Sequence, residues 1–386
     1  MNQMIKYAFL IPVIQFGFGW WFNVSTFVSL LVLLSLRHRQ KIFLCLLSPI
    51  LLSSVFLMYV SYLWQDFGDL HSFLRVSREC LIIILLGLFT QSIRQKYSLY
   101  FEIQFHRAIM VISLFQLILV IIQFISIRQG VWIGPDPSWF AGRGNVIPDL
   151  LDLRYSNIRP AGTFSEPSYL GLISISFMVI SGFSKNLWRN NSRIFYLNLL
   201  VVIFSQSKSA LLFAAILLLL YLKRNKSKEI NYFRGVVFPL ILIGGVSSAG
   251  LILQTLLSSK GSVSIENRIY KPLEMVVTFI ASNPLGASFY GRINEFVDTD
   301  SGITWDAISH NSLFNLIFSY GLVGFLLIFY IMRSAGGDFI LVIFLFAALI
   351  QNGSFLDFDK LFLVYFTIMM YRSKLVETSS EVEGRT

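Results

Sequence analysis

Four polar clusters stand immediately before long apolar runs in this sequence. They are RVSREC (75–80), RPAGTFSEPS (159–168), SQSKSA (205–210) and SHNS (309–312). If each run forms a helix, each cluster lies at a helix N-terminus, where unpaired backbone N–H groups and the helix dipole favour anions. Arg75, Arg78, Arg159 and Lys208 add cations there. The clusters therefore predict a phosphate-type site; the alternative for each single arginine is extension to lipid headgroups.

His310 is the residue best suited to proton transfer. It falls at the predicted start of a helix after a long loop, with Ser309 and Asn311 as candidate capping residues. The positive end of a helix dipole disfavours a protonated imidazole, which suits a neutral general base. The alternative is a surface histidine that closes the loop. Glu166, which stands before a proline suited to the first helical position, is the rival base.

A further segment that contains basic residues is SIENRIYKPLEMVVTFIASNPLG (264–286). The apolar positions from Leu273 to Ile280 predict a short helix at or near the membrane surface, and the NPLG turn would end it. Arg268 and Lys271 precede this helix and could face the same anion as the polar clusters. Lipid headgroups are the alternative partner for both.

The elements that must position these residues are membrane helices. Of the 386 residues 55% are hydrophobic and 13% are charged, against roughly 25% charged in soluble proteins. Apolar runs predict about twelve spans. They lie near residues 4–19, 21–36, 42–63, 80–93, 108–127, 167–183, 194–206, 209–222, 235–257, 313–332, 339–351 and 360–371. The expected fold is an all-α integral membrane protein, with one polytopic domain over residues 1–375 and a disordered tail at 376–386.

Lys and Arg concentrate in the loops on one side of this topology, as in RHRQK (37–41) and KRNKSK (223–228). The positive-inside rule makes that side cytoplasmic and places both termini there. Two long loops, near 128–166 and 258–312, then face outside together with the polar clusters. The net charge of +10 reflects this topology, so no nucleic-acid partner is expected. Scattered cysteines and histidines predict neither a disulfide framework nor a metal site, and no cofactor is expected.

Several motifs, taken together, resemble the O-antigen polymerase (Wzy-type) and O-antigen ligase superfamily of bacterial envelope enzymes. They are RPAGTFSEPSYLG (159–171), SQSKSALL (205–212), ENR (266–268) followed by NPLG (283–286), and SHNSLFNLIFSYGLVG (309–324). They follow one another in the family's order and cover residues 155–330. The N-terminal half is similar only in having many spans.

The resemblance implies an inverting, metal-independent glycosyltransferase with the multi-span C-type fold. Such an enzyme transfers a glycan from an undecaprenyl diphosphate carrier at the periplasmic face of the bacterial inner membrane. The family's histidine falls on His310, as catalytic base with Glu166 as its rival. At Lys208 this sequence has a lysine where relatives often have an arginine. The substitution keeps the positive charge but loses bidentate binding of phosphate. The residues expected to bind the diphosphate are Arg159, Arg268, Lys208, Arg75 and Arg78.

The expected function is that of a polysaccharide polymerase, whose acceptor is the non-reducing-end sugar of another lipid-linked repeat unit. Membrane lipid and a chain-length regulator protein are further expected partners. The first alternative is a ligase that transfers the glycan to lipid A core and shares the fold and donor. The second is a flippase or transporter for the same lipid-linked glycan. That class usually has ionisable residues within its spans, and they are scarce here.

Overall fold

The computed structural model describes residues 17–18, 22–23, 99–134, 159–164, 166–184, 192–224, 271–287, 311–351 and 355–372. These residues form helices and one short antiparallel strand pair. The helices are α1 (Leu99–Arg128), α2 (Pro167–Phe183), α3 (Ser192–Ser205), α4 (Lys208–Arg224), α5 (Lys271–Ser282), α6 (Ser312–Arg333), α7 (Phe339–Ile350) and α8 (Phe358–Arg372). The strands are β1 (Gly17–Phe18) and β2 (Phe22–Asn23).

α2 is the central helix of the described bundle. Nearly every one of its residues is buried, and it packs against α3, α4, α7 and α8. Its first turn closes tightly on α4, because Gly171 leaves room for the side chains of Ser207 and Ala210. Its middle is joined to α8 by a hydrogen bond between the hydroxyls of Ser176 and Thr367 (2.6 Å). The start of α2 is therefore fixed by neighbours on several sides.

α1 buries several polar side chains on the face that packs on the bundle and exposes large apolar side chains on the opposite face. Ser113, Gln116 and Gln123 are buried, and the amide of Asn198 in α3 donates to the Ser113 hydroxyl (2.9 Å). The opposite face exposes large apolar side chains. These are Val111, Leu114, Phe115, Ile118, Ile122 and Ile125. A helix of this kind suits a lipid surround, in which polar groups must find partners within the protein.

Seven predicted spans coincide with helices. α1, α2, α3, α4, α6, α7 and α8 match those predicted near 108–127, 167–183, 194–206, 209–222, 313–332, 339–351 and 360–371. Two stretches, His106–Arg128 and Ser312–Arg333, are each long and apolar enough to cross a membrane. The spans near 42–63, 80–93 and 235–257, most of both long loops and the tail lie outside the described residues. The total of about twelve spans stays a prediction.

The first two predicted spans are wrong at their facing ends. The sequence predicts helices over 4–19 and 21–36, but the residues described there form strands, with Gly17 opposite Asn23 and Phe18 opposite Phe22. Glycine weakens a helix, and aromatic residues are favoured in strands. The rest of both spans lies outside the described residues.

α6 is interrupted near its middle by the turn that follows α5. Gly321 has φ 56° and ψ −131°, outside the helical region. The hydrogen bond that would join Leu322 to Phe318 four residues earlier is replaced by two bonds to the turn. Ala287 N–H donates to Phe318 O (2.9 Å), and Leu322 N–H donates to Pro284 O (2.9 Å). The break therefore leaves neither group unpaired.

The short helix and NPLG turn predicted in the second long loop are confirmed as α5 and residues 283–287. Gly286 in this turn has φ 84°, and a Cβ on Gly286 or on Gly321 would overlap backbone atoms of the other segment. The Phe279 and Phe318 rings lie 4.5 Å apart between centroids. α5 therefore packs along the first half of α6.

Basic residues collect at the end of the bundle where α2, α4, α6 and α8 finish. Arg224 Nη1 donates to the Phe183 carbonyl at the end of α2 (3.2 Å), and Arg372 lies beside Gly336. The Tyr371 hydroxyl donates to Asp338 Oδ2 (2.7 Å). We call the opposite end, where these four helices begin, the site end.

Candidate functional site

The loop before α2 is held in place by a glutamine of α1. Gln123 is fully buried, and its Oε1 accepts hydrogen bonds from the backbone N–H groups of Ala161 (3.0 Å) and Gly162 (2.8 Å). Its Nε2 donates to the Gly162 carbonyl (2.9 Å). One side chain thus satisfies three backbone groups that a bilayer could not.

A second glutamine, two turns earlier on the same face of α1, completes this support. Gln116 Nε2 donates to Thr163 Oγ1 (2.6 Å), and Thr163 N–H donates back to Gln116 Oε1 (3.2 Å). Gly162 between these contacts has φ 62°, and a Cβ there would overlap Gln116 Oε1. We call Gln116 and Gln123 the glutamine clamp. Neither glutamine was predicted from the sequence, although amide side chains within an apolar run are typical of hydrogen bonds inside a membrane protein.

The clamped loop carries Arg159 to the turn between α3 and α4. Arg159 Nη1 donates to the Gln206 carbonyl (3.2 Å), and Gln206 is a non-glycine residue with positive φ (54°). The buried Ser207 follows it, and its carbonyl accepts from Leu211 N–H (2.8 Å) at the start of α4. Lys208, the first residue of α4, is exposed. The structure thus brings Arg159 to a turn that ends at Lys208.

Glu166 stands at the N-cap position of α2 but does not cap the helix with its side chain. Its backbone is extended, and Pro167 follows as the first helical residue. Glu166 Oε2 accepts a hydrogen bond from the Ser168 hydroxyl (3.0 Å). The carboxylate is half-buried and lies at the start of the helix whose first turn packs on Ser207 and Ala210. Glu166 and Lys208 therefore belong to the same end of the bundle.

The start of α6 reaches the site end as well. Asn311 is the N-cap, and its Oδ1 accepts from Leu313 N–H (3.0 Å), which confirms the predicted cap. Ser312 donates twice to the carbonyl of Gln351 after α7, through its N–H (2.9 Å) and its hydroxyl (2.7 Å). His310 precedes this cap by one residue in the sequence.

Lys360, in the first turn of α8, is a cation that sequence reasoning missed. Its side chain is 2% exposed, and its Nζ donates to Ser312 Oγ (2.5 Å). Asp357, directly before α8, and Asp359, its second residue, are buried too. Two carboxylates within three residues of a lysine are a sequence signal of buried charge. It was overlooked because the predicted span began at residue 360 and left both aspartates outside.

Part of the predicted site lies outside the described residues. The structure places Arg159, Glu166 and Lys208 at one end of the bundle and does not describe His310, Arg268, Arg75 or Arg78. Among the residues it describes, no group of three or more His, Cys, Asp or Glu lies together as a metal site would require. The described part combines two cations with helix starts, which suits an anionic ligand.

The sequence is similar to a known family over almost its entire length. A family model described as WcaD colanic acid polymerase matches residues 4–373. The match spans every helix given above and every residue predicted for the site. No curated protein and no solved structure matches the chain.

Proposed function

Because the chain belongs to the WcaD colanic acid polymerase family, we propose that it extends a lipid-linked glycan one repeat unit at a time. Membership makes it a membrane protein of polysaccharide biosynthesis, a polymerase of the glycosyltransferase type. The proposed donor is the growing glycan on undecaprenyl diphosphate. The proposed acceptor is the non-reducing-end sugar of another lipid-linked repeat unit, at the periplasmic face of the inner membrane.

The proposed reaction is a single displacement that inverts the anomeric carbon and needs no metal. An acceptor hydroxyl attacks that carbon, its C–O bond to the diphosphate breaks, and undecaprenyl diphosphate leaves with the electron pair. The acceptor's proton passes to a base on the enzyme. Charge builds on the leaving diphosphate, so fixed cations lower the barrier.

One observation carries the proposal: Arg159 reaches the α3–α4 turn beside Lys208 on a loop that the glutamine clamp holds. A guanidinium held in this way needs little reorganisation as charge develops, which is the property that makes such groups effective. In the proposed mechanism Arg159 and Lys208 grip the diphosphate, together with Arg268 and with Arg75 and Arg78 in support.

His310 is the proposed base, with Glu166 as its rival. In the sequence, His310 stands directly before the Asn311 cap and the Ser312 hydrogen bonds that fix the start of α6 at the site end. Glu166 lies at the start of α2 with its carboxylate bonded to Ser168. Substituting His310 and Glu166 one at a time identifies the base, since loss of the base abolishes turnover and loss of the other residue does not.

The test of the function is a gel of surface polysaccharide from cells without this protein, beside wild-type cells. A polymerase predicts surface lipid with a single repeat unit and no ladder of longer chains. If long chains still accumulate on the lipid carrier while none is attached to the surface lipid, the protein is a ligase. If repeat units stay on the cytoplasmic side, the protein is a flippase.

The test of the mechanism uses Arg159→Ala and His310→Ala in the deletion strain. Both are expected to remove the ladder while the protein inserts in normal amount, with a rate loss of about 10²–10³-fold for removal of one stabilising cation. Lys223→Met, an exposed residue at the other end of α4, is the control and should keep the ladder. A normal ladder from either site variant removes that residue from the mechanism.

A further inference from the structure

Lys360 occupies a place between the starts of three helices. Its ammonium donates to Ser312 Oγ (2.5 Å) in the first turn of α6 and lies 5.7 Å from the centroid of the Tyr169 ring in the first turn of α2. Lys360 itself belongs to the first turn of α8. Burial of a lysine is costly unless its ammonium is well paired. Lys360 is 2% exposed, and the carboxylates of Asp357 and Asp359, within three residues of it in the sequence, are buried too.

The contact with Ser312 continues into a chain of hydrogen bonds. The Ser312 hydroxyl accepts a hydrogen bond from Lys360 and donates one to the Gln351 carbonyl (2.7 Å). The Ser312 N–H donates to the same carbonyl (2.9 Å). The ammonium of α8, the first residue of α6 and the residue after α7 are therefore joined in one unit.

Both ends of this unit lie close in sequence to the two candidate bases. Ser312 follows His310 by two residues, and Tyr169 follows Glu166 by three. Tyr169 N–H donates to the Glu166 carbonyl (3.2 Å), so the ring under the ammonium and the backbone of Glu166 share one turn. Lys360 thus connects the two segments that carry the proposed proton-transfer groups.

We propose that Lys360 is a positioning residue for glycosyl transfer: through Ser312 and Tyr169 it fixes the start of α6, which follows His310 in the sequence, relative to the start of α2, which follows Glu166. The proposal rests on the function proposed above. Lys360 is buried and acts through its neighbours, so its loss lowers the turnover rate and leaves substrate binding unchanged. A misplacement of about 1 Å in a reacting group can cost about 10²-fold in rate.

The test measures initial rates of polymerisation in membranes. The substrate is the lipid-linked repeat unit extracted from the deletion strain, added over a range of concentrations. Lys360→Met, which keeps the length of the side chain and removes its charge, is expected to lower kcat by at least about tenfold with KM within about threefold of wild type, as the loss of a positioning contact requires. Lys360→Arg keeps a cation and donors and should restore part of the rate. Arg159→Ala, in contrast, should raise KM as well.

Ser312→Ala provides a second route to the same contact. It removes the contact of Lys360 with α6 and leaves the lysine in place, so it should lower kcat in the same direction. It also decides the question if Lys360→Met does not accumulate in membranes. Lys223→Met is the matched control and should leave both constants unchanged.

Three outcomes have separate meanings. If Lys360→Met has the kcat of wild type, the positioning role is overturned. If Lys360→Met does not accumulate in membranes, the kcat of Ser312→Ala decides in the same way. A raised KM with unchanged kcat also overturns it, because the lysine would then contact substrate. If cells without this protein still make the ladder of long chains, the proposed function fails, and that failure is distinct from the loss of the Lys360 proposal alone.

Discussion

Gln123 illustrates how a neutral side chain can determine where a charge lies. Its amide accepts hydrogen bonds from the N–H groups of Ala161 and Gly162 and donates one to the Gly162 carbonyl. Arg159 stands two residues before Ala161. The loop has no regular secondary structure there, so its backbone groups depend on such partners. The position of the guanidinium is therefore set in part by a helix that precedes it by more than thirty residues.

At this scale we predict the effect of Gln123→Leu. The substitution leaves two N–H groups and one carbonyl without their partner, at about 1–3 kcal/mol for each buried group left unpaired. The unfolding temperature of the purified protein in detergent should fall by several degrees, and the polysaccharide ladder should be lost or strongly reduced.

Gln129→Leu is the control for this change, because Gln129 is exposed just after the end of α1. It should leave the unfolding temperature within about a degree of wild type, as most exposed substitutions do. Equal stability of the two variants would contradict the role of the glutamine clamp.

At the scale of elements, local signals were readable in the sequence and distant pairings were not. Pro167 predicted the start of α2, and Asn311 predicted the cap of α6, because caps and prolines act within one turn. The bond from Gln123 to Gly162 joins residues 39 apart, and that from Lys360 to Ser312 joins residues 48 apart. Such pairs depend on how the helices pack against each other, and local patterns in a single sequence do not reveal that packing.

The break in α6 gives a prediction about two elements together. Gly321→Ala should be strongly destabilising, because its Cβ would overlap the backbone of the 283–287 turn as well as adopt an unfavourable positive φ. Positive φ alone costs roughly 1–2 kcal/mol for alanine. The measurement is the unfolding temperature in detergent, together with the amount of protein in the membrane.

Gly337→Ala separates the two causes. Gly337 also has positive φ (77°), but a Cβ there would meet nothing within 4 Å. Its variant should show the smaller loss that belongs to φ alone. If Gly321→Ala is no more destabilising than Gly337→Ala, then the 283–287 turn does not pack against α6 at Gly321.

At the scale of the whole molecule, the described bundle has the polarity of a membrane protein. Its interior contains hydrogen-bonded serines, glutamines and an asparagine, and its surface exposes rows of apolar side chains on α1 and α6. Monomeric soluble proteins rarely expose contiguous apolar patches of this kind. This pattern agrees with the high hydrophobic content of the sequence, and both are expected of a protein surrounded by lipid.

The outer face of α1 tests that interpretation. Ile118 is 51% exposed near the middle of the candidate span, and Val131, 47% exposed, follows the end of the helix. A lysine at a span centre costs about 2.5–3.5 kcal/mol on insertion, so Ile118→Lys should lower the carbonate-resistant membrane fraction. Val131→Lys should not. An equal fraction for both would mean that this face of α1 does not meet lipid.

The glutamine clamp also has a consequence for how the protein is made. Gln123 leaves the ribosome before its partner Gly162, which follows 39 residues later. At about 5–20 residues per second, synthesis of that interval takes roughly 2–8 s. During this time α1 carries amides whose hydrogen bonds are not yet available from the chain, so the newborn helix depends on the insertion machinery, or on water, to shelter them until its own loop arrives.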